Sequence, residues 1–276
     1  MLYQYKTKFG LGLILLSSFL LNTAFAHDPI FGQGPHVVFK NGVEVATGLE
    51  TSKKGTEVEN KLGLEVTYGL TGDWAMGIDI PYAIKADNGN ASSGYGDAGV
   101  FTKYRFWRRD SLGLQKSAAI SLKLFGPTGD KNAAPALGTG TTDSVVGLSY
   151  GYESRSWYRW ASVRYRQNGT NNAGLKRGSK TRVDFVVGMR PNLTSYTEPD
   201  MVYLLELNGE FGDQATLSGN RVANTGGDEW FISPGFMWSI TNFSIRGGIQ
   251  LPIVSNLNGT QEKSDYRAKI GFEWHL

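Results

Sequence analysis

The chain has 276 residues and no cysteine, which excludes thiol catalysis, disulfide bonds and zinc-thiolate sites. Its formal net charge of +3 provides no strongly basic surface, so we expect no nucleic-acid partner. The 36 glycines and the 12% aromatic residues are typical of many strands joined by turns.

The first 26 residues have the order of a secretory signal peptide. Lys6 and Lys8 precede an apolar run at 11–21, and the small-x-small triplet Ala24-Phe25-Ala26 follows. The apolar run is shorter than the roughly 20 residues that a spanning helix needs. We therefore predict cleavage after Ala26.

Residues 27–42 precede the first predicted strand and contain two of the three histidines. His27 would carry the free α-amine after cleavage, and its amine and imidazole nitrogens suit a copper-type ion. His36 could add a second imidazole, although the pattern has no third ligand at a fixed spacing. Two alternatives stay open, namely no cofactor or a Cu or Zn ion held by His27 and His36.

Alternation of apolar and polar side chains predicts about twelve strands over residues 43–276. The predicted strands lie near 42–51, 58–70, 74–85, 96–107, 116–126, 142–153, 157–167, 179–190, 201–211, 228–240, 242–253 and 265–276. In the last strand one face carries Tyr266, Ala268, Ile270, Phe272, Trp274 and Leu276. Such a strand is typical of the closing strand of an outer-membrane barrel, with an apolar face toward lipid and a polar face toward the lumen.

Short and long connections alternate between the predicted strands. Short links lie at 71–73, 153–156 and 241, and long polar links at 86–95, 127–141, 168–178 and 212–227. Bacterial barrels place short turns at the periplasmic rim and long loops outside the cell. The short-side links at 108–115 and 191–200 fit this rule less well.

Aromatic residues on the apolar face support the same orientation. The predicted periplasmic girdle comprises Tyr68, Trp74, Phe106, Tyr152, Trp157, Trp238, Phe243 and Trp274. A second belt toward the other end comprises Tyr82, Tyr165, Trp230 and Tyr266. Two belts are expected where aromatic rings sit at headgroup level, whereas a soluble β-sandwich gives no reason to place Trp beside turns.

The sequence therefore predicts an all-β fold, a transmembrane antiparallel up-and-down β-barrel of about 12 strands in the outer membrane, with both termini periplasmic. Its expected partners are outer-membrane lipid and, through the C-terminal strand, the barrel-assembly machinery. Residues 27–42 would form either a periplasmic leader or a plug in the lumen.

The polar face of the strands would line the lumen with charges of both signs. The predicted lumen-lining residues are Asp97, Lys103, Arg105, Lys123, Arg164, Arg166, Asp184, Glu206, Glu210, Arg246 and Lys269. These residues either set the electrostatic preference of a passage for a small-molecule solute or only pair with one another. The leading hypothesis is a porin-like channel or transporter, and the alternative is a non-transporting envelope barrel that binds a metal ion through its N-terminal histidines.

No arrangement of catalytic residues emerges, so we predict that the chain is not an enzyme. His275 is the remaining histidine, and it falls on the lumen-facing side of the last strand, away from any outward-facing serine. The G-x-G-x-x-G run at 94–99 leads into a predicted strand instead of the helix that a dinucleotide site requires.

Three short motifs carry a family resemblance. They are Gly96-Asp97-Ala98-Gly99 running into Lys103-Tyr104-Arg105-Phe106, then Pro127-Thr128-Gly129-Asp130, then Leu137-Gly138-Thr139-Gly140-Thr141-Thr142-Asp143. With them the chain resembles the outer-membrane β-barrel family first associated with the meta-pathway of phenol degradation. The resemblance implies a transporter or channel for small, often hydrophobic compounds, and it supplies no catalytic residues.

Overall fold

The computed structural model describes residues 28–195 and 197–276, so the predicted signal peptide and His27 lie outside the described residues. Within these ranges the chain forms sixteen β-strands. They are β1 (Val43–Lys54), β2 (Glu57–Gly69), β3 (Trp74–Asp87), β4 (Asn90–Tyr95), β5 (Gly99–Ser111), β6 (Leu114–Phe125), β7 (Asp143–Ser154), β8 (Trp157–Gln167), β9 (Leu175–Lys176), β10 (Lys180–Met189), β11 (Asp200–Gly212), β12 (Thr216–Leu217), β13 (Asn220–Arg221), β14 (Gly227–Ile240), β15 (Phe243–Leu257) and β16 (Ser264–His275). Across the same residues, no helix is long and apolar enough to cross a membrane.

Twelve of the described strands form a closed antiparallel barrel in which each strand pairs with its neighbours in chain order. The barrel strands are β1, β2, β3, β5, β6, β7, β8, β10, β11, β14, β15 and β16. The barrel closes between β1 and β16, where the register runs from Glu44 opposite His275 to Lys53 opposite Tyr266. The predicted 12-stranded all-β barrel is confirmed.

Side chains on the outer face of the barrel are apolar and exposed, as β3 illustrates. Its outward residues Trp74, Met76, Ile78, Ile80, Tyr82 and Ile84 are between 37% and 52% exposed. The intervening Ala75 and Ala83 are buried. Because a water-soluble protein rarely exposes so continuous an apolar surface, this face is the one that meets lipid.

The predicted loop at 86–95 is wrong in part, because β3 and β4 continue there as a β-hairpin. The hairpin turns at Asn88 and Gly89, whose φ angles of 47° and 82° are both positive. An Asn-Gly pair favours such a two-residue turn, since both residues tolerate positive φ. The alternation of the strand therefore extends into a segment whose polar composition suggests a loop.

The predicted link at 108–115 is also shorter in the structure, where β5 and β6 are separated by Leu112 and Gly113 alone. The register of β5 against β6 shifts between Arg105 and Trp107. This β-bulge inserts one extra residue, so Phe106 and Trp107 are both exposed although they are adjacent in sequence. Because the alternation of side chains breaks at this point, the sequence pattern does not show that β5 continues to Ser111.

Candidate functional site in the barrel lumen

Residues 28–42, which we call the plug, lie inside the barrel. Ile30 is 1% exposed, and His36 and Val38 are also buried. The plug joins the wall at the end where β1 begins, since the Asn41 backbone N–H donates to the Gly69 carbonyl at 2.8 Å. The plug therefore fills the half of the lumen that carries the short turns.

One carboxylate of the wall holds the tip of the plug. Glu206, on β11, accepts hydrogen bonds from the backbone N–H groups of Ile30 at 2.6 Å, Phe31 at 3.1 Å and Gly32 at 2.9 Å. Three consecutive N–H groups form a concave anion-binding surface, and hydrogen bonds to a charged acceptor are stronger than neutral ones. A wall residue predicted to line the lumen thus binds the plug backbone.

An apolar surface on the lumen wall receives the side chain of Ile30. Its members come from β8, β10, β11 and β14 and are Tyr158, Trp160, Val186, Val202, Leu204 and Met237. Burial of an isoleucine side chain contributes roughly 1.5–3 kcal/mol. The plug is therefore fixed by an apolar contact as well as by polar ones.

Two ion pairs join the plug to other parts of the wall. His36 Nε2 lies 2.8 Å from Glu153 Oε1, and Lys103 Nζ lies 2.9 Å from Asp28 Oδ2. Burial lowers the pKa of His36, but Glu153 and Asp28 outweigh it and raise the pKa to about 10. The buried imidazole is therefore a cation at neutral pH.

A cavity of about 440 Å³ lies beside the plug tip. It is lined by the plug residues 28–33 and by charged side chains that include Glu50, Glu65, Lys103, Lys123, Arg164, Arg166, Lys180, Arg182, Asp184, Glu210, Arg246, Arg267 and Lys269. Eight of the predicted lumen-lining residues are among those that line it, namely Lys103, Lys123, Arg164, Arg166, Asp184, Glu210, Arg246 and Lys269. The lumen thus combines a polar cavity with a plugged end.

Asp97, predicted to line the lumen, lies instead in the segment between β4 and β5, and it connects this segment to the loop between β6 and β7. Its carboxylate accepts hydrogen bonds from the backbone N–H of Gly129 at 3.0 Å and from the Thr139 hydroxyl at 2.6 Å. The prediction placed it inside a strand that began at residue 96, whereas β5 begins at Gly99.

Arg105, predicted to line the lumen, faces inward on β5 and donates hydrogen bonds to the turn between β2 and β3. Its Nε donates to Asp73 Oδ1 at 2.8 Å and its Nη2 donates to the Gly72 carbonyl at 2.7 Å. Both acceptors belong to the link between β2 and β3. Side-chain alternation predicts which face a residue occupies but does not predict its depth in the barrel.

The sequence-based prediction of lumen-lining residues missed three cations of the cavity wall, namely Lys180, Arg182 and Arg267. Lys180 and Arg182 precede Asp184 on β10 by four and two residues, and Arg267 precedes Lys269 on β16 by two. The period of two along a strand places them on the predicted lumen face. That signal was sufficient to find them.

The predicted girdle residues lie within two residues of the strand ends next to the short turns, except Phe106, which lies five residues before the end of β5. Tyr68, Trp74, Phe106, Trp157 and Trp274 are exposed, and Trp238 and Phe243 are half-buried. Phe243 packs between its neighbours, with its ring centroid 6.3 Å from that of Trp238 and 5.0 Å from that of Trp274.

One group among the described residues has the donor atoms of a metal site. Glu44, Glu273 and His275 each offer a ligand atom within 4.8 Å of the others. The same atoms already form ion pairs, since His275 Nε2 lies 2.9 Å from Glu273 and Arg246 Nη2 lies 3.4 Å from Glu273. The metal site predicted at His27 and His36 stays a prediction, because His27 lies outside the described residues.

Comparison with known proteins supports the fold. The sequence model of the family described as "Putative MetA-pathway of phenol degradation" matches residues 26–253. Among curated proteins nothing matches.

A crystal structure of an outer-membrane channel from Pseudomonas putida F1 aligns with a TM-score of 0.73 and 11% identity, covering 91% of this chain and 100% of that chain. At this identity the likeness shows the fold, which is that of an outer-membrane barrel. Two further structures, the NanC porin (TM-score 0.48, 13% identity, 85% of this chain and 100% of that chain) and the β domain of a Bordetella autotransporter (TM-score 0.49, 13% identity, 85% and 99%), are similar at a lower level. The barrel fold and its exposed apolar belt together confirm the predicted outer-membrane location.

Proposed function

We propose that this chain, which belongs to the family described as "Putative MetA-pathway of phenol degradation", passes a small polar molecule across the outer membrane through its lumen. The observation that carries the proposal is the charged cavity of about 440 Å³ inside the barrel. A barrel with a purely structural role can fill its interior with packed side chains. A similar structure described as an outer-membrane channel supports the same reading.

Passage through this lumen requires the plug to move, because the plug occupies the half of the lumen with the short turns. Apart from the apolar contact of Ile30, the plug is held to the wall by hydrogen bonds and ion pairs, which water can replace when the plug leaves. The hydrogen bonds that close the barrel lie between strands and do not include the plug tip. The plug tip can therefore leave the lumen while the barrel stays folded.

Planar-bilayer recordings test the proposal with the full chain and with Glu206→Gln, which removes the charge that holds the plug tip. We expect the variant to open more often, and to carry more current, than the wild type. Glu59→Gln is the matched control, because Glu59 pairs with Lys85 at 3.5 Å on another part of the wall. If neither protein conducts and neither admits solutes into liposomes, the proposed function is refuted.

We also propose that the barrel-assembly machinery binds β16. This strand carries the alternating apolar face and closes the barrel against β1. The Phe272→Ser and Trp274→Ser variants should lower the amount of folded protein in the outer membrane. Lys269→Ser, which changes the lumen face of the same strand, should not lower it as much.

A further inference from the structure

Four cationic side chains face one another on two neighbouring strands of the lumen wall. β8 and β10 are antiparallel, so that Arg164 lies opposite Arg182 and Arg166 lies opposite Lys180. All four line the cavity. Like charges directly opposite on one face of a sheet are destabilising. Two such pairs in succession therefore need nearby negative charge.

A single carboxylate serves three of the cations around this position. Glu210 lies 2.9 Å from Lys180 Nζ, 3.1 Å from Arg182 Nε and 2.6 Å from Arg267 Nη1. Its two oxygens cannot neutralise three positive charges. Lys180 and Arg182 consequently retain donors that are not used by Glu210.

The other two carboxylates of this wall are also shared or saturated. Asp143 contacts both Arg166, at 2.7 Å, and Arg177. Asp184 accepts from Arg164 at 2.7 Å and also from the Ser162 hydroxyl at 2.7 Å. In the described salt bridges, six cations share three carboxylates, the cations being Arg164, Arg166, Arg177, Lys180, Arg182 and Arg267.

Two of these cationic side chains remain partly exposed to the cavity. The side chains of Lys180 and Arg182 are 39% and 43% exposed. Arg164 Nε is buried and has no hydrogen-bond partner within the described part of the chain. An excess of cations with free donors around a cavity is suited to an anion, and a guanidinium matches the planar geometry of a carboxylate.

We infer that the wall formed by β8 and β10 binds the carboxylate of a small organic anion. This inference rests on the proposed function, since it names the class of solute that enters the lumen. The cations would attract the anion into the cavity and replace part of its hydration, as charged residues do in selective pores. The cavity volume is sufficient for a compound of a few carbon atoms.

Isothermal titration of the full chain in detergent at low salt tests the inference, with succinate as the probe and succinamide as its neutral counterpart. We expect succinate to bind and succinamide not to bind. Loss of one charge-assisted hydrogen bond weakens binding about tenfold, so Arg182→Gln should raise the Kd by about that factor. Lys180→Gln should act in the same direction, and it serves as a second variant if loss of Arg182 impairs folding.

Lys61→Gln is the matched control, because Lys61 also lies on the lumen side of the wall but on β2, beside Glu50. It should leave the Kd for succinate unchanged. The inference is overturned if succinate does not bind, if succinamide binds equally well, or if Lys61→Gln weakens binding as much as the other variants. If the protein conducts in bilayers but does not bind succinate, the proposed function stands and this inference is refuted. If the protein binds succinate but neither conducts nor admits solutes into liposomes, the proposed function is refuted and the binding site stands.

Discussion

The backbone N–H of Ile30 in the plug donates to Glu206 Oε1 in the barrel wall at 2.6 Å. The next two backbone N–H groups donate to the other oxygen of the same carboxylate. A residue of the wall therefore recognises the plug by its backbone, independently of the plug side chains. A substitution of Glu206 should therefore weaken the attachment of the plug to the wall without changing the plug sequence.

Glu206→Gln should loosen the plug. The amide that replaces the carboxylate loses the charge assistance of three hydrogen bonds, so the population of released plug should rise about tenfold. Because the chain has no cysteine, a single cysteine at Val37 can report release through its rate of modification by a charged maleimide. Glu59→Gln should leave that rate unchanged, and equal rates in both variants would contradict the role of Glu206.

Gly69→Ala should displace the base of the plug. A Cβ at position 69 would overlap the backbone oxygen of Phe39, which cannot move without shifting the plug. Gly63, on the same strand and the same face, has no atom within 4 Å of an added Cβ. Modification of the cysteine at Val37 should therefore accelerate in Gly69→Ala and not in Gly63→Ala, and the opposite order would exclude a close fit at this position.

Docking of the plug should weaken at high pH. Since docking raises the pKa of His36 from 6.5 to about 10, the contribution of His36 is fully present below pH 6.5 and is lost as the pH rises through 10. The groups that face His36 are Glu153, Asp28 and the ring of Trp160. The mobility of a spin label on the cysteine at Val37 should rise across this range.

The His36→Gln variant provides the control for the pH dependence. Its plug should be more mobile than that of the wild type at neutral pH and should show little further change up to pH 10. An unchanged pH profile in the variant would assign the transition to other groups.

Metal binding should depend on His275 more than on His36. Among the described residues, His36 does not belong to a group of three donor atoms close enough to share one ion, and its Nδ1 lies 3.7 Å from Asp28. The group of Glu44, Glu273 and His275 has three suitable donors close together. In titrations with Zn²⁺, His275→Ala should reduce the affinity, whereas His36→Ala should leave it unchanged. A loss confined to His36→Ala would favour the site predicted at the N-terminal histidines.

The strand pattern was predictable because lipid and lumen impose a period of two that each strand shows on its own, as in β3. The bulge at Phe106 and the hairpin turn at Asn88 and Gly89 shifted element ends, since each adds or redirects a few residues. The position of residues 28–42 could not be derived from local pattern. It depends on contacts such as that of Ile30 with Glu206, which are 176 residues apart in sequence.

Ion pairs between neighbouring strands of the lumen wall were equally hidden from the sequence. Alternation placed Arg164 on the inner face, but its pairing with Asp184 depends on the register of β8 against β10. For the same reason the excess of positive charge on this wall could be counted only after the strands were aligned.

The C-terminal end of the plug leads directly into β1, and backbone hydrogen bonds hold this junction to the strands on both sides. Val43 exchanges two backbone hydrogen bonds with Leu276, at 3.1 and 2.8 Å, and Asn41 is bonded to Gly69. A displaced plug therefore pivots about residues 39–42 and remains tethered at the mouth of its own barrel. Return to the closed position is a unimolecular step at high effective concentration, so its rate should not depend on how many copies of the protein the membrane holds.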